Sequence, residues 1–527
     1  MRPNLPATLL SIALGVTCAT GGAVAQDSRL PDIGSSAGTL LSPAQEAEYG
    51  AMTLSQLRNY GYTLDDPLIA AWLQSMGARL GAASDNPTQR FTFFLLGDRQ
   101  INAFATLGGY IGVNAGLVLA ADREDEVAAV LAHEVAHVTQ EHVLRGVEAA
   151  QRDSIPILLA MLGAIAIAQG SGGNSADDAT MAALMSAQGL MAQRQIDYTR
   201  SNEAEADRVG IRTLARGGYD PDAMAGFFEQ LQSVVRSTET RESAPDYLRT
   251  HPVTTTRISE ARDRARQLAD APQPFVPSGR ASDNPMLPAS LRIATTPGEG
   301  IGGNFSWARE RLRVLSANSP AQAVREYERI GKYNALDDAQ RYGLALAHYL
   351  DGNPARAIDE LTALLRDHPG QPWLELATAQ AEARAGRIEA ADARFEALVA
   401  RMPSSRAVAL TYAATLNERN TPAAGQRAQA LLRPLLAGAA DDPVFQRTFA
   451  RTSEIAGDPV RAGEAYAEAA FLNGRAEQAL VQLNTLKKRD DLDYYARARI
   501  DARIAAITPV VLELRRQGIR DPDLDRR

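Results

Sequence analysis

The chain has 527 residues, longer than the ~250–300 residues over which one core usually grows, so two or three folded units are expected. Hydrophobic residues make up 45% and charged residues 22%, globular values that exclude a chain disordered throughout. The net charge of −8 leaves no basic excess for phosphates, and no run reaches the roughly 20 apolar residues of a membrane span. Neither nucleic-acid binding nor a transmembrane anchor in the mature chain is therefore expected.

Residues 1–25 read as an export signal. Arg2, the apolar run Leu9 to Ala19 and Ala23-Val24-Ala25 before Gln26 supply its charged, hydrophobic and small-residue cleavage parts. Cleavage there predicts a periplasmic protein and removes Cys18, the only cysteine, so the mature chain has neither disulfide nor thiol chemistry. A lipid on Cys18 is the alternative, for which Gly15 and Thr17 are poor flanks. Helical spacing follows over Ser42 to Leu80, with Tyr49, Met52, Leu57, Leu68, Trp72 and Leu80 apolar. Phe91 to Leu96 predicts a strand, and Ile101 to Asn114 continues through Gly108-Gly109 into a second. Asp122 opens a helix with Glu124 and Asp125 in its first turn and Val127, Val130, Leu131, Val135 and Val138 along it.

Ile155 to Ala168 is apolar but holds Pro156 and Gly163 and is too short to span a bilayer. A core or hairpin helix fits it, as does a mobile flap or membrane-touching plug, since glycine-rich residues 170–174 lead into a further apolar stretch, Met181 to Met191. A polar helix over Ser201 to Arg216 stops at Gly217-Gly218. The prolines between Pro272 and Pro297 mark a linker. Beyond Asn304 the chain turns to alanine-rich helix pairs with a period of 34. Gly352 recurs at Gly386, Ala357 at Ala391, Leu361 at Phe395, Leu364 at Leu398 and Pro369 at Pro403, which is the tetratricopeptide signature. Asn420 extends the phase, and Gly457 resumes it after a slip of three residues. Such hairpins must stack to bury their apolar faces and leave a groove for peptide or protein.

The chemistry lies in His133-Glu134-Val135-Ala136-His137. At 3.6 residues per turn the two histidines fall about 40° apart on one helix face, so both imidazoles can reach one tetrahedral ion. Glu134 is placed to accept a proton from water whose pKa that ion would lower toward ~7. His142, five residues beyond His137, falls on another face of a continuous helix and reads as an ordinary surface histidine or one supporting a ligand. Glu203 and Asp207, four apart on the second helix, would complete the site, one as zinc ligand and the other orienting an imidazole. Spacing alone leaves Glu203 and Glu205 open as the ligand, beside a merely solvated acidic face.

This histidine motif followed by N-E-A-E-A-D (Asn202 to Asp207) resembles the gluzincin peptidases related to HtpX and the CAAX-prenyl endopeptidases. Leu30 to Gly38, Ile101 to Leu117, Thr250 to Pro252 and Arg257 carry the resemblance further, toward the BepA-type periplasmic protease–chaperones of Gram-negative bacteria. It implies an α+β, mainly α metallopeptidase domain (residues 26–270), a linker (271–304) and an all-α tetratricopeptide-repeat solenoid (305–527). It implies one zinc per chain on His133, His137 and Glu203, with Glu134 as base and Asp207 and Arg257 supporting. His251 matches a histidine that reaches the zinc and closes the site. Asn102, Ala103 and Phe104 match an edge that pairs with extended substrate, and residues 155–191 match a cover, expected here as a soluble lid. The implied clients are outer-membrane proteins, with the barrel-assembly machinery as partner. A repeat-based chaperone or adaptor whose peptidase activity is dispensable is the other reading.

Overall fold

Two local signals set the first helices. Ser42 accepts from the Gln45 amide in a capping box, with Pro43 at the first turn, and begins α1 (Pro43–Asn59). Asp66 accepts from the amides of Leu68 and Ile69 and begins α2 (Pro67–Ala83). Gly61, at φ 73°, turns the chain between them, so the helical stretch expected over Ser42 to Leu80 resolves into two helices. This computed structural model describes residues 41–146, 148, 199–237, 246–270 and 304–516. The export signal, the stretch at 155–191 and all of the linker but Asn304 lie outside the described residues.

A three-stranded sheet follows, in the order β1 (Thr92–Leu96), β3 (Tyr110–Asn114), β2 (Ala103–Ala105). β1 runs parallel to β3 with Phe94 opposite Gly112, and β2 runs antiparallel to it with Phe104 opposite the same glycine. Both Phe rings crowd that position, where a Cβ would lie 2.6 Å from Phe104. The strand at 92–96 and the one after Gly108-Gly109 match the expectation, whereas β2 is an additional edge strand. Gly109 (φ 81°) allows the turn into β3, since a Cβ there would meet the Arg90 carbonyl at 2.2 Å.

α3 (Ala115–Ala120) leads to α4 (Glu124–Thr139). α4 is buried on nearly every side, between α2, the strands and a later helix. Further along this half come α5 at residues 199–216, α6 (Ala223–Ser237), the short α7 (Asp246–Thr250) and α8 (Thr255–Asp270), which packs on α6. α5 ends at Gly218, φ 76°, as its sequence predicts.

From α9 (Phe305–Leu315) onward the described residues are helical hairpins. First helices begin at Asp338, Pro372 and Arg406, and their partners at Pro354, Ile388 and Pro422, each 34 residues after the last. The next pair, at Pro443 and Pro459, is displaced by three residues, and a 3₁₀ stretch at Arg433–Ala439 takes up the difference. Gly352, Gly386 and Gly457 turn their hairpins at positive φ, and Asn420 does the same at 51°. The fold is thus the expected α+β half with a small sheet, followed by an all-α helical-repeat half.

The halves meet at several places, among them α9 against α2 and α3, Arg99 against Ser316 and Glu326, and Arg447 beside Asp65. Arg311 of α9 bonds both carboxylate oxygens of Asp66 at 2.9 and 2.6 Å, and donates to Tyr342 Oη at 3.2 Å. Far along the repeats, Leu472 accepts from Ser55 and Arg475 reaches Asn59, so the helices curl back onto α1. Between these seams a cleft of about 680 Å³ runs beside β1, lined by Asp65, Gln74, Phe93, Arg406 and Asp442 among others.

Candidate metal centre

Because α4 is enclosed, its histidine motif is enclosed with it: His133 is 0% and Glu134 1% exposed. The helical spacing sets the two Nε2 atoms of His133 and His137 3.0 Å apart. α5 crosses them closely enough that a Cβ on Gly210 would come 3.1 Å from the His133 backbone. The crossing delivers Glu203, whose oxygens lie 3.4 Å from His133 Nε2 and 3.3 Å from His137 Nε2. His251, just past α7, adds Nδ1 at 2.9 Å from Glu203 Oε1 and 3.3 Å from His133 Nε2.

These four donor atoms all lie within 4.8 Å of one another. Nitrogen and oxygen ligands 2.0–2.1 Å from a tetrahedral ion are separated by about 3.3 Å, close to the spacings found here. Glu134 Oε1, buried within 3.6 Å of His251 Nε2, has no hydrogen-bond partner among the described residues. Three imidazole nitrogens, a carboxylate and an unpartnered buried oxygen fit a divalent cation of zinc type.

A carboxylate–guanidinium pair braces the candidate ligands. Arg257 of α8 donates to both oxygens of Asp207 at 2.7 and 2.8 Å and to the Pro252 carbonyl, and its Nη1 lies 2.9 Å from Glu203 Oε2. Asp207 Oδ1 in turn sits 3.0 Å from His133 Nδ1. Burial opposes ionisation of Asp207, but the bonds from Arg257 and His133 outweigh it and hold the carboxyl below its usual range. Glu203 is likewise held low, its burial outweighed by the three imidazoles. Burial would also lower His133, but Asp207 and Glu203 push its pKa up to about 10. His137 is lowered, chiefly by burial.

The structure therefore brings together His133, Glu134, His137, Glu203, Asp207, His251 and Arg257, and it separates Glu203 from Glu205, which turns instead to His142 and Arg145. The expectation that His142 faces away from His137 is overturned. Glu141, left-handed at φ 53°, breaks the helix and folds His142 back, so that its Nδ1 meets His137 Nδ1 at 2.9 Å. His142 is buried, and burial with neighbouring His137 pushes its pKa down to about 4. Tyr247 carried no signal in the sequence, yet its buried ring stacks on His251 at 4.7 Å.

β2 borders the same centre. Asn114 donates to the Asn102 carbonyl and Thr106 to the Tyr110 carbonyl, so even-numbered positions, Asn102 and Phe104 included, face β3. The backbone groups of Ala103 and Ala105 face the open edge. One step back on that edge, the Ile101 carbonyl accepts from the Tyr247 amide at 3.2 Å.

Comparison with known proteins agrees with this chemistry. Residues 67–265 match the model of Peptidase family M48. The beta-barrel assembly-enhancing protease of Yersinia pestis is 32% identical over 501 residues, 95% of this chain and 96% of that protein. A Vibrio cholerae counterpart of that protease is 42% identical over 262 residues, but these span only 49% of this chain and 52% of the relative. Metalloprotease LoiP of Escherichia coli is 29% identical over 168 residues, 32% of this chain and 59% of LoiP. Near-complete coverage by the Yersinia protein, joined to a metal-ligand cluster inside the matched region, means that this chain belongs to the beta-barrel assembly-enhancing protease family and is a metalloendopeptidase.

Proposed function

We propose that the protein is a periplasmic, zinc-dependent endopeptidase that assists outer-membrane protein assembly and degrades misassembled clients. The convergence of His133, His137, Glu203 and His251 beside the unpartnered Glu134 oxygen carries this reading. His133, His137 and Glu203 hold the ion, one per chain. Bound there, zinc supplies a Lewis acid for the scissile carbonyl and lowers the pKa of the attacking water. Glu134 takes the proton from that water and returns it to the departing amine. Asp207 holds the His133 ring, and Arg257 holds Asp207 and Glu203 in place.

His251 joins this cluster, and we read it as the residue that would close the site to water and substrate. An extended client would pair with the open edge at Ala103 and Ala105, which reads backbone rather than side chains. Its continuation along Ile101 meets Tyr247, on the segment that carries His251. The relatives matched over nearly their whole length are named for beta-barrel assembly, which supports outer-membrane assembly as the setting, and the barrel-assembly machinery is the partner we propose. The 34-residue spacing supports a tetratricopeptide reading of residues 305–527, after a peptidase domain at 26–270 and a linker at 271–304.

Metal analysis of purified protein is expected to find one zinc per chain. Glu134→Gln is expected to keep that zinc and the fold while cleavage of an unstructured protein falls at least about 10²–10⁴-fold. Absence of stoichiometric zinc, or parental cleavage by Glu134→Gln, would overturn the reading. Full rescue of a deletion strain by the same variant would instead favour the chaperone or adaptor function.

A further inference from the structure

We propose that His142 is a positioning residue for His137, determining which nitrogen of that ring is presented to the metal; this rests on the zinc reading above. His137 Nε2 points into the ligand cluster, 3.0 Å from His133 Nε2 and 3.3 Å from Glu203 Oε1. A ligating nitrogen must offer a lone pair, so a neutral His137 ring carries its proton on Nδ1. That Nδ1 lies 2.9 Å from His142 Nδ1. For the contact to be a hydrogen bond, His137 donates and His142 Nδ1 accepts. The His142 proton is then on Nε2, which donates to Glu205 Oε2 at 3.2 Å.

The same oxygen accepts from Arg145 Nη1 at 3.0 Å, and that nitrogen also reaches the Gln140 carbonyl at 3.2 Å. Each proton in the series His137, His142, Glu205 thus has one consistent place. The two ligand histidines are braced differently: His133 meets the Asp207 carboxylate directly, whereas His137 meets a carboxylate through a second imidazole. His142 presents its Nδ1 to His137 rather than to the ligand cluster, which makes it a support and not a fifth ligand. The left-handed Glu141 (φ 53°) has a rationale here. That region disfavours a non-glycine residue, and the break it makes returns His142 to its partner.

The test uses the full-length protein and zinc affinity measured by competition with a chromophoric chelator. His142→Leu fills the space without an acceptor and is expected to weaken zinc binding about 10–100-fold. His142→Asn places an amide oxygen where Nδ1 was and is expected to stay within a few-fold of the parent. Long-range ¹⁵N NMR of the zinc-loaded parent should find His137 protonated on Nδ1 and metal-bound through Nε2. Parental affinity in His142→Leu, an equal loss in His142→Asn, or zinc on Nδ1 of His137 overturns the proposal. Should His142→Leu not fold, the asparagine variant and the NMR assignment still decide. A parent that binds no zinc removes the zinc reading itself and this role with it, whereas a zinc-binding parent with an indifferent His142→Leu removes only the role.

Discussion

The two halves bury different things. The peptidase half encloses ionisable groups: His133, Glu134, Glu203, Asp207, His251 and Arg257 are all buried around one point. The repeat half, from Asp338 onward, buries mainly alanine, leucine and aromatic side chains. Its charges pair nearer the surface, as in Arg427 with Glu396, Arg341 with Glu360, and Arg499 with Glu464. An enclosed charge without its partner costs several kcal/mol, so the first half tolerates its cluster only as a mutually neutralising set. Exposed pairs are each worth roughly 0–1 kcal/mol, so the second half draws its stability from stacked hairpins and spreads it along the chain. The seam belongs with the first kind, since Arg311 and Asp66 are buried together.

That contrast can be broken or sharpened by substitution. The largest effect is expected at the cluster. His133→Ala should lose bound metal and proteolysis together, Glu203→Gln should follow it, and Glu205→Gln should keep both. Metal analysis beside a cleavage assay reads all three, and retention of metal by Glu203→Gln would return the ligand role to another carboxylate.

Next comes the seam. Arg311→Met leaves Asp66 buried without its cation and should cost about 3–5 kcal/mol in denaturant unfolding. Arg427→Met, on the repeat surface, should cost no more than about 1 kcal/mol. Equal losses would erase the distinction between the halves. A smaller effect is expected of His251→Ala. If the open arrangement is the minority of two states, populated at roughly 10% or less, freeing it should raise basal cleavage about tenfold or more, with zinc retained. An unchanged rate would deny His251 a closing role. Smallest is Asn420→Gly in the repeat half, where the residue already sits at φ 51°. Glycine adopts that conformation freely, and thermal unfolding should change by no more than about 1 kcal/mol.

Much of this was legible beforehand, for reasons that differ by region. The repeat period was readable because each hairpin needs a turn residue and a small contact residue at the same phase, so Gly352, Gly386 and Asn420 mark it in one dimension. His133, Glu134 and His137 were readable because one turn of helix converts a sequence spacing into a shared face. Glu203 against Glu205 was not. Both are on α5 about 200° apart around its axis, and only which face of α5 is laid over α4 decides which meets the histidines and which meets His142. His142 itself was misdirected by the assumption of a continuous helix, since nothing in the sequence around Glu141 announces a left-handed residue.

What the sequence by itself determined, then, is whatever depends on neighbours along the chain: the helix with its paired histidines, the capped starts at Ser42 and Asp66, the 34-residue phase. Only the tertiary structure decided what depends on separate segments meeting. It set Glu203 and His251 against one pair of imidazoles, put Arg257 on Asp207, and seated Arg311 on Asp66. The reason is physical. Local backbone geometry is periodic and carries over only a few residues, whereas a metal cluster or a buried ion pair is defined within a few ångströms by packing among elements tens to hundreds of residues apart.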